Sequence, residues 1–547
     1  MDMKIKYYIL AGVILMVAPL NAQRQDNDST LTRTVVVEQE YNPSVLDATK
    51  LNVLPPVDEP QVSKKEVVYD TQFSPSYSFP QTNMPAFVGK ESFAKAKPGY
   101  FRLGYGNYGN VDSRANYRFN LSEKDQLNLG LSLFGMNGKL DLLESGKWNA
   151  HYYKTNGGIN YLHQFGKANL KLGGDFGLSN FNYQPEHLFN KQKFMNTSFL
   201  VGIETMNPNL PLQADVNMKF SHYSRQNDWV GSLLTKDNKE NKLLTSANVF
   251  GLINDDSKVG VFFNMNNYFY NNDSIDNYTT ADFNPYYEFN GDSWRLRLGA
   301  HMDFAFGFGK SVNIAPDVNL AYVFSDSYLF YATATGGRLA NDFNRMEFTN
   351  PYASITNRLE DTYEQLNTSI GFKASPTAGL WLNFFGGYQN LKKDVFQQNP
   401  LITDESNLMI QELGQTNTSN FFGGATFSYS YKNLVDLTLS GIYRNWSVDD
   451  NVALLMKPMF DLNFRTVIRP VSPLDIELGY RYIHRTESDL MERLDAVSNL
   501  HAEVTFRLYK GASIFIKGDN LLNQKYQYFY SYPTEGINFV GGVKLLF

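Results

Sequence analysis

From Gly99 to the carboxy-terminal Phe547, apolar and polar residues alternate one by one through run after run of the chain. FRLGY puts Phe101, Leu103 and Tyr105 on one face and Arg102 on the other. RANYRFN and QLNLGLSL repeat the pattern with Ala115, Tyr117 and Phe119, then with Leu127, Leu129 and Leu131. SWRLRLGAHMDFAF is the clearest run, with Trp294, Leu296, Leu298, Ala300, Met302, Phe304 and Phe306 opposite Arg295, Arg297, His301 and Asp303. DIELGYRY sets Ile476, Leu478, Tyr480 and Tyr482 against Glu477 and Arg481, and EVTFRL sets Val504, Phe506 and Leu508 against Glu503, Thr505 and Arg507. The last run, INFVGGVKLLF, gathers Ile537, Phe539, Val543, Leu545 and Phe547 on one parity, with Asn538 and Lys544 on the other. A period of two makes each run a strand with opposed faces. Charge at this density cannot sit in a dry core, so these strands fit lipid on one side and an aqueous or protein-filled lumen on the other.

The connections alternate as well. Tight turns fall at Ser122 to Asp125, Phe165 to Lys167, Asn207 to Pro211, Asn254 to Lys258, Asn290 to Ser293, Ser325 to Ser327, Ser375 to Gly379, Tyr431 to Asn433, Arg469 to Pro473 and Tyr509 to Gly511. Longer Asn- and Asp-rich stretches lie between them, notably about 337 to 362 and 391 to 419. One end therefore carries turns and the other loops, like the periplasmic and extracellular ends of a transmembrane barrel. Ten turns join twenty strands, and one more at each end makes about 22. The fold class is all-β: a transmembrane, antiparallel outer-membrane β-barrel over 99–547 with both ends at the periplasm.

Residues 1–22 read as a secretory signal peptide, with Lys4 and Lys6 ahead of an apolar run from Ile9 to Leu20 and a small residue, Ala22, before Gln23. Residues 23–98 are broken by Pro43, Pro55, Pro56, Pro60, Pro75, Pro80, Pro85 and Pro98 and read as a short extended periplasmic arm. Within it, Val35 to Val37 could add to a partner as an edge strand, pair with this protein's own sheet, or remain a linker.

Composition agrees with a barrel. Tyr (35) and Phe (41) far outnumber Trp (5), and mean hydropathy stays at -0.36 because only every second strand residue meets lipid. A helical membrane protein needs repeated apolar runs of about 20 residues, and none follows the amino terminus. With no cysteine, a lipoprotein anchor, disulfides and thiolate metal sites are excluded, and a net charge of -6 gives no reason to expect nucleic acid.

Near the carboxy terminus, GDNLLNQKY (Gly518 to Tyr526) is similar to the late-strand motif of TonB-dependent outer-membrane receptors, carried by Asn520, Leu521, Asn523 and Tyr526 and followed by a closing strand ending in Phe547. The resemblance covers 99–547. It implies outer-membrane lipid, the barrel assembly machinery and TonB or other periplasmic proteins as partners, and transport or binding of a solute as the function. Thr34, Val35, Val36 and Val37 resemble a TonB box. The stretch 23–98 is too short and too proline-rich for the family's globular plug domain, so the plug is expected to be missing. The Asn- and Tyr-rich strands and the LNAQ region resemble proteins of the Bacteroidota.

Catalytic chemistry is not legible. There is no HExxH, GxSxG, phosphate-binding or dinucleotide fingerprint, and seven histidines are scattered without ligand spacing, so no enzyme and no cofactor is expected. His301 and His484 could be proposed as bases, but the first shares the polar parity of its strand and the second lies near a strand end. The loop NNDSIDN, with Asp273 and Asp276, offers oxygen ligands without the spacing of a calcium site. The inward charges Arg102, Arg295, Arg297, Asp303, Asp461, Arg465, Glu477, Arg481, Glu503 and Arg507 mix signs, which fits a salt-bridged wall or one that holds a segment of chain rather than an ion-selective ring. Three functions stay open: a solute-binding or transporting receptor; a plugless structural or assembly subunit of an outer-membrane complex whose arm binds periplasmic proteins; and, resting on the long loops, an adhesin or surface antigen.

Overall fold

A computed structural model describes residues 97–547 except 143–145, 186, 206–209, 231–232, 273–274, 356–358, 399–400, 403–408, 450–451, 455 and 487–493. The signal peptide, nearly all of the arm and Thr34 to Val37 lie outside the described residues. The chain enters the wall at strand Gly99–Gly106 and leaves it at Asn538–Leu546. In between, every wall strand pairs antiparallel with the next, and the last returns to the first, with Arg102 opposite Lys544 and Tyr100 opposite Leu546. The result is a closed barrel of 22 strands. Two dipeptide segments bring the sheet to 24: Ala353–Ser354 and Leu401–Ile402 pair from loops onto strand Met409–Tyr431. Closure leaves no sheet edge, the condition for placing strands in lipid, where an unpaired backbone group has no water to turn to.

The seam is finished by the terminal residues themselves. Gly99 N–H donates to the Phe547 carbonyl at 2.8 Å, and Phe547 N–H donates back at 3.0 Å. The Phe547 ring stacks on Tyr117, with centroids 5.7 Å apart. Facing strands approach so closely that a Cβ on Gly542 would lie 2.0 Å from the Leu103 carbonyl oxygen.

Alternation becomes two surfaces. On strand Lys191–Thr205, Phe199, Val201 and Ile203 are exposed to the outside while Ser198 is buried; Val216, Met218 and Phe220 do the same on Gln213–Val230. At the turn end, Trp294, Tyr322, Phe324, Tyr328 and Phe372 form one stack with successive centroids 4.4 to 6.1 Å apart, an aromatic girdle where the interface belongs.

Two departures from the alternation matter. The expected loop over 391–419 is largely strand: Leu380–Gln397 and Met409–Tyr431 stay paired to Gln397 and Leu413 after a bulge, so only 398–408 remains to connect them. Polar side chains bond across this stretch, Thr418 donating to Asp394 and Gln397 to Gln411. The second is a register break where Gly336 and Gly337 face Glu364 to Leu366, with φ at +129° for Gly337. Arg338 shares the parity of outward-facing Phe330, yet beyond the break its Nε lies 3.8 Å from Asp303 on the lumen side.

Candidate functional site

The largest buried cluster among the described residues lies at the loop end, where wall residues such as Trp148, Phe181, Phe194 and Tyr223 meet loop residues such as Phe343, Met346, Ile355 and Tyr532. The loop over 340–361, between strands Tyr328–Leu339 and Thr362–Ala374, carries a short helix, Phe343–Thr349. Asp342 caps it, accepting from Arg345 N–H at 2.9 Å. Phe343 and Met346 then fall on one side of the turn and bury against Phe194, Tyr223 and Tyr270.

Charges place the loop inside the barrel. Glu347, 9 % exposed at the side chain, accepts from Lys154 at 3.1 Å, Ser179 at 2.7 Å and Tyr223 at 2.5 Å. Lys242 reaches Asp342 at 2.6 Å, and Glu240 accepts from Phe343 N–H at 3.2 Å. Arg225, wholly buried, pairs with Asp228 at 3.0 Å and donates to the Ala353 carbonyl at 2.6 Å, while Asp228 accepts from Ile355 N–H at 2.8 Å. Tyr223 and Arg225 have the parity opposite to outward-facing Val216, Met218 and Phe220, and Ser179 the parity opposite to Leu172 and Phe176, so these anchors line the lumen. Charges this deep persist only in pairs; stripping one partner typically costs about 3–5 kcal/mol.

A second loop joins the first. Tyr352 stacks on Tyr532 at 3.4 Å between ring centroids, Trp148 meets Tyr532 edge-on at 5.7 Å, and Gln411, fully buried, bridges Asn350 and the Tyr530 carbonyl. Burial among these rings pushes the Tyr352 and Tyr532 hydroxyls well above the usual tyrosine range. In the neighbouring loop, burial drives His187 down to about 3, so it is neutral where it stacks on Tyr183.

The receptor-like motif pins this same second loop. Asn520, at φ +49°, donates from its side chain to the carbonyls of Gln524 and Glu535 and accepts from Gln524 N–H. Asn523, also at φ +49°, accepts from Ile537 N–H, and Leu521 N–H donates to Leu500. Tyr526 is buried against Ile483 and Val497. Asparagine tolerates the left-handed backbone and supplies the hydrogen bonds that hold it. Burial raises Glu535 in this loop to about 7.

The inward charges form the salt-bridged wall. Arg102 bonds Asp112 at 2.8 Å and Glu503 at 3.0 Å, Arg297 pairs with Glu288 and with Asp317 at 2.7 Å, Arg465 with Glu477 at 2.8 Å and Arg481 with Asp461 at 3.3 Å. Arg295 and Arg507 are exposed. His301 bonds Asp282 at 2.9 Å, within the wall network, and His484 lies on strand Leu474–Arg485, one residue from its end. Asp273 is outside the described residues, and Ile275 beside it is buried in the mouth cluster. Among the described residues, no three His, Cys, Asp or Glu side chains are placed to hold a metal ion. The anchors Lys154, Arg225, Glu240, Lys242 and Glu347 were not singled out in the sequence; the signal that could have found them is Phe343 and Met346 in a stretch otherwise read as a wet loop.

No family model matches the chain, and no curated protein does. Solved structures do. The ferric enterobactin receptor PfeA of Pseudomonas aeruginosa superposes with a TM-score of 0.63 over 83 % of this chain and 82 % of its own, at 11 % identity. The FrpB iron transporter of Neisseria meningitidis gives 0.63 over 83 % and 82 % at 12 % identity, and the siderophore receptor PirA of Acinetobacter baumannii 0.61 over 84 % and 81 % at 10 %. The barrel resembles those of TonB-dependent outer-membrane receptors. With its exposed apolar belt and aromatic girdle, it is an outer-membrane β-barrel.

Proposed function

We propose that this chain is a receptor-like outer-membrane barrel that binds a solute and passes it across the membrane, with the loop 340–361 gating its extracellular mouth. The observation that carries this reading is the way the gate is held. Its anchors are ion pairs and hydrogen bonds on the inner wall, which water or a charged solute can replace, rather than an apolar seal alone. The fold neighbours, described as a ferric enterobactin receptor, an iron transporter and a siderophore receptor, support solute uptake as the class. To the same proposal belong engagement of TonB by Thr34 to Val37, the lack of a separate plug and an origin in the Bacteroidota. In a planar bilayer the full chain should be nearly silent, and a variant with residues 341–360 replaced by a short Gly/Ser turn should conduct steadily. A replaced-loop barrel that runs as a folded species on a gel yet stays silent refutes the gate.

The second reading, a structural or assembly subunit, is favoured by the proline spacing of 23–98, which suits an extended segment wrapped on a partner. Pull-down with 23–97 deleted separates the two. Loss of co-purifying proteins other than TonB supports assembly, and loss of TonB alone supports transport.

A further inference from the structure

Within one arc of the wall, four strands finish their outward rows on lysine at the loop end. On Lys191–Thr205 the outward parity runs from Ile203, Val201 and Phe199 through Met195 to Lys193 and Lys191; on Asp125–Asp141 it runs from Leu129 and Leu131 to Lys139. Strand Lys147–Gln164 carries Ile159 and then Lys147 on that face, and Leu233–Asn254 carries Val249 and then Lys239. All five lysines are exposed, and none of their side chains has a partner among the described residues.

Register gathers them. Lys139 stands across from Asn149 and so lies diagonal to Lys147, while Lys191 and Lys193 face Asn182 and Asn180 on the strand between. Lys239 faces Ser224, whose other neighbour is Met195, next below Lys193. Adjacent strands lie about 4.8 Å apart, so the band spans roughly 24 Å of the rim. Two exposed carboxylates, Asp141 and Asp237, share this outward parity and leave the band positive. Like charges set side by side repel, and an anion laid across them relieves the repulsion. The charge is local to this arc. Further round the ring, the outward rows of Ser257–Tyr270, Trp294–Phe306 and Val312–Ser325 end on exposed Phe269, Phe306 and Val312. Exposed amides on the same outward parity, Asn137, Asn149 and Asn180, lie among the lysines. Read from mid-membrane outward, the arc therefore offers hydrocarbon, then amides, then ammonium groups.

We propose that this arc docks a phosphorylated glycolipid of the outer leaflet, with acyl chains on the apolar belt, sugar hydroxyls on the asparagine amides and phosphates on the lysines. The site is independent of the solute and gate readings. Native mass spectrometry of the full chain in detergent tests it, with diphosphoryl lipid A, phosphatidylglycerol and phosphatidylcholine added in turn. The first should be retained most and the last least, and added salt should weaken the first, because exposed charges are screened. Replacing Lys139, Lys147, Lys191 and Lys193 together by Gln should weaken lipid A binding about tenfold or more. Replacing Lys124, Lys167, Lys432 and Lys510 by Gln removes the same charge from exposed positions at the turn end and should change it little. Gel migration of the unheated barrel confirms folding, and the wild-type lipid series decides the matter if the first variant does not fold. Phosphatidylglycerol retained as well as lipid A shows attraction by charge alone and overturns the glycolipid assignment. Equal losses in the two variants, or equal retention of the three lipids, overturn the arc as a site. A soluble protein released by the loop-end substitutions while lipid A stays bound also overturns it, and gives the lysines to a protein partner.

Discussion

Glu347→Ala removes the acceptor on which three inner-wall donors converge. Lys154 is about a third exposed, so its ion pair contributes about 1 kcal/mol or less after screening by water. The hydroxyls of Ser179 and Tyr223, at 2.7 and 2.5 Å, are worth about 1.5–3 kcal/mol each as hydrogen bonds to a charged group, and both are stranded when the carboxylate goes. Together the loss is about 4 kcal/mol of loop docking, whereas Glu347→Gln, which keeps one oxygen for one hydroxyl, loses about 2 kcal/mol. Every 1.4 kcal/mol is tenfold in an equilibrium. Hydrogen exchange at the amides of Met346, Asn350 and Ile355, all bonded within or beneath the docked loop, should accelerate roughly 700-fold in the alanine variant and roughly 27-fold in the glutamine variant. The seam amides of Val540 and Lys544 should not change, because the wall stays closed. Wild-type exchange at Met346 and Asn350 in a folded Glu347→Ala barrel refutes the idea that Glu347 holds the gate.

Arg102→Ala, which breaks pairs to Asp112 and Glu503 at a side chain only 8 % exposed and strips its stacking on Phe515, should destabilise the barrel by about 3–5 kcal/mol, while Arg465→Ala, at 59 % exposure, should cost under about 1 kcal/mol; urea unfolding in detergent micelles compares them, and equal losses contradict the burial argument. Gly542→Ala forces a methyl against the Leu103 carbonyl at the seam and should cut the yield of heat-modifiable barrel, with an unchanged yield showing that the seam can part. Glu535 has its folded pKa raised from 4.5 to about 7, so its contribution is fully present below 4.5 and is lost as pH rises through 7. His187 is depressed from 6.5 to about 3, so its contribution is present above 6.5 and is lost as pH falls toward 3. Between pH 7 and 5 the loop 520–537 should therefore tighten while 183–190 loosens, read as opposite changes in hydrogen exchange after correction for intrinsic rates; parallel changes would contradict both assignments.

The wall was legible because lipid and water impose period two on every strand, and the turns, being short, could be counted. Arg102, Arg297, Glu477 and Glu503 were placed inward by parity alone and are found in ion pairs. Arg338 was not, because it lies in the stretch 337 to 362 that reads as a loop, whereas strand Tyr328–Leu339 runs on past a register break to include it. The mouth was equally hidden. Glu347 and Lys154 lie 193 positions apart in the chain, and nothing local marks a carboxylate in a polar loop as the partner of a lysine on a distant strand. The GDNLLNQKY stretch was legible only as a likeness; its reason, two asparagines holding left-handed backbone, required the coordinates.

The loop over 340–361 springs from the thirteenth and fourteenth wall strands, but its polar anchors sit on the fourth, fifth, seventh and eighth. It therefore crosses the bore as a chord and acts as a tie rod. A thin cylinder of 22 strands resists stretching along its hydrogen bonds far better than it resists flattening, and a cross-brace resists that flattening. Releasing the rod would open the mouth and also let the cross-section relax, so a pull on either side of the brace would be felt as a change of shape around the whole ring.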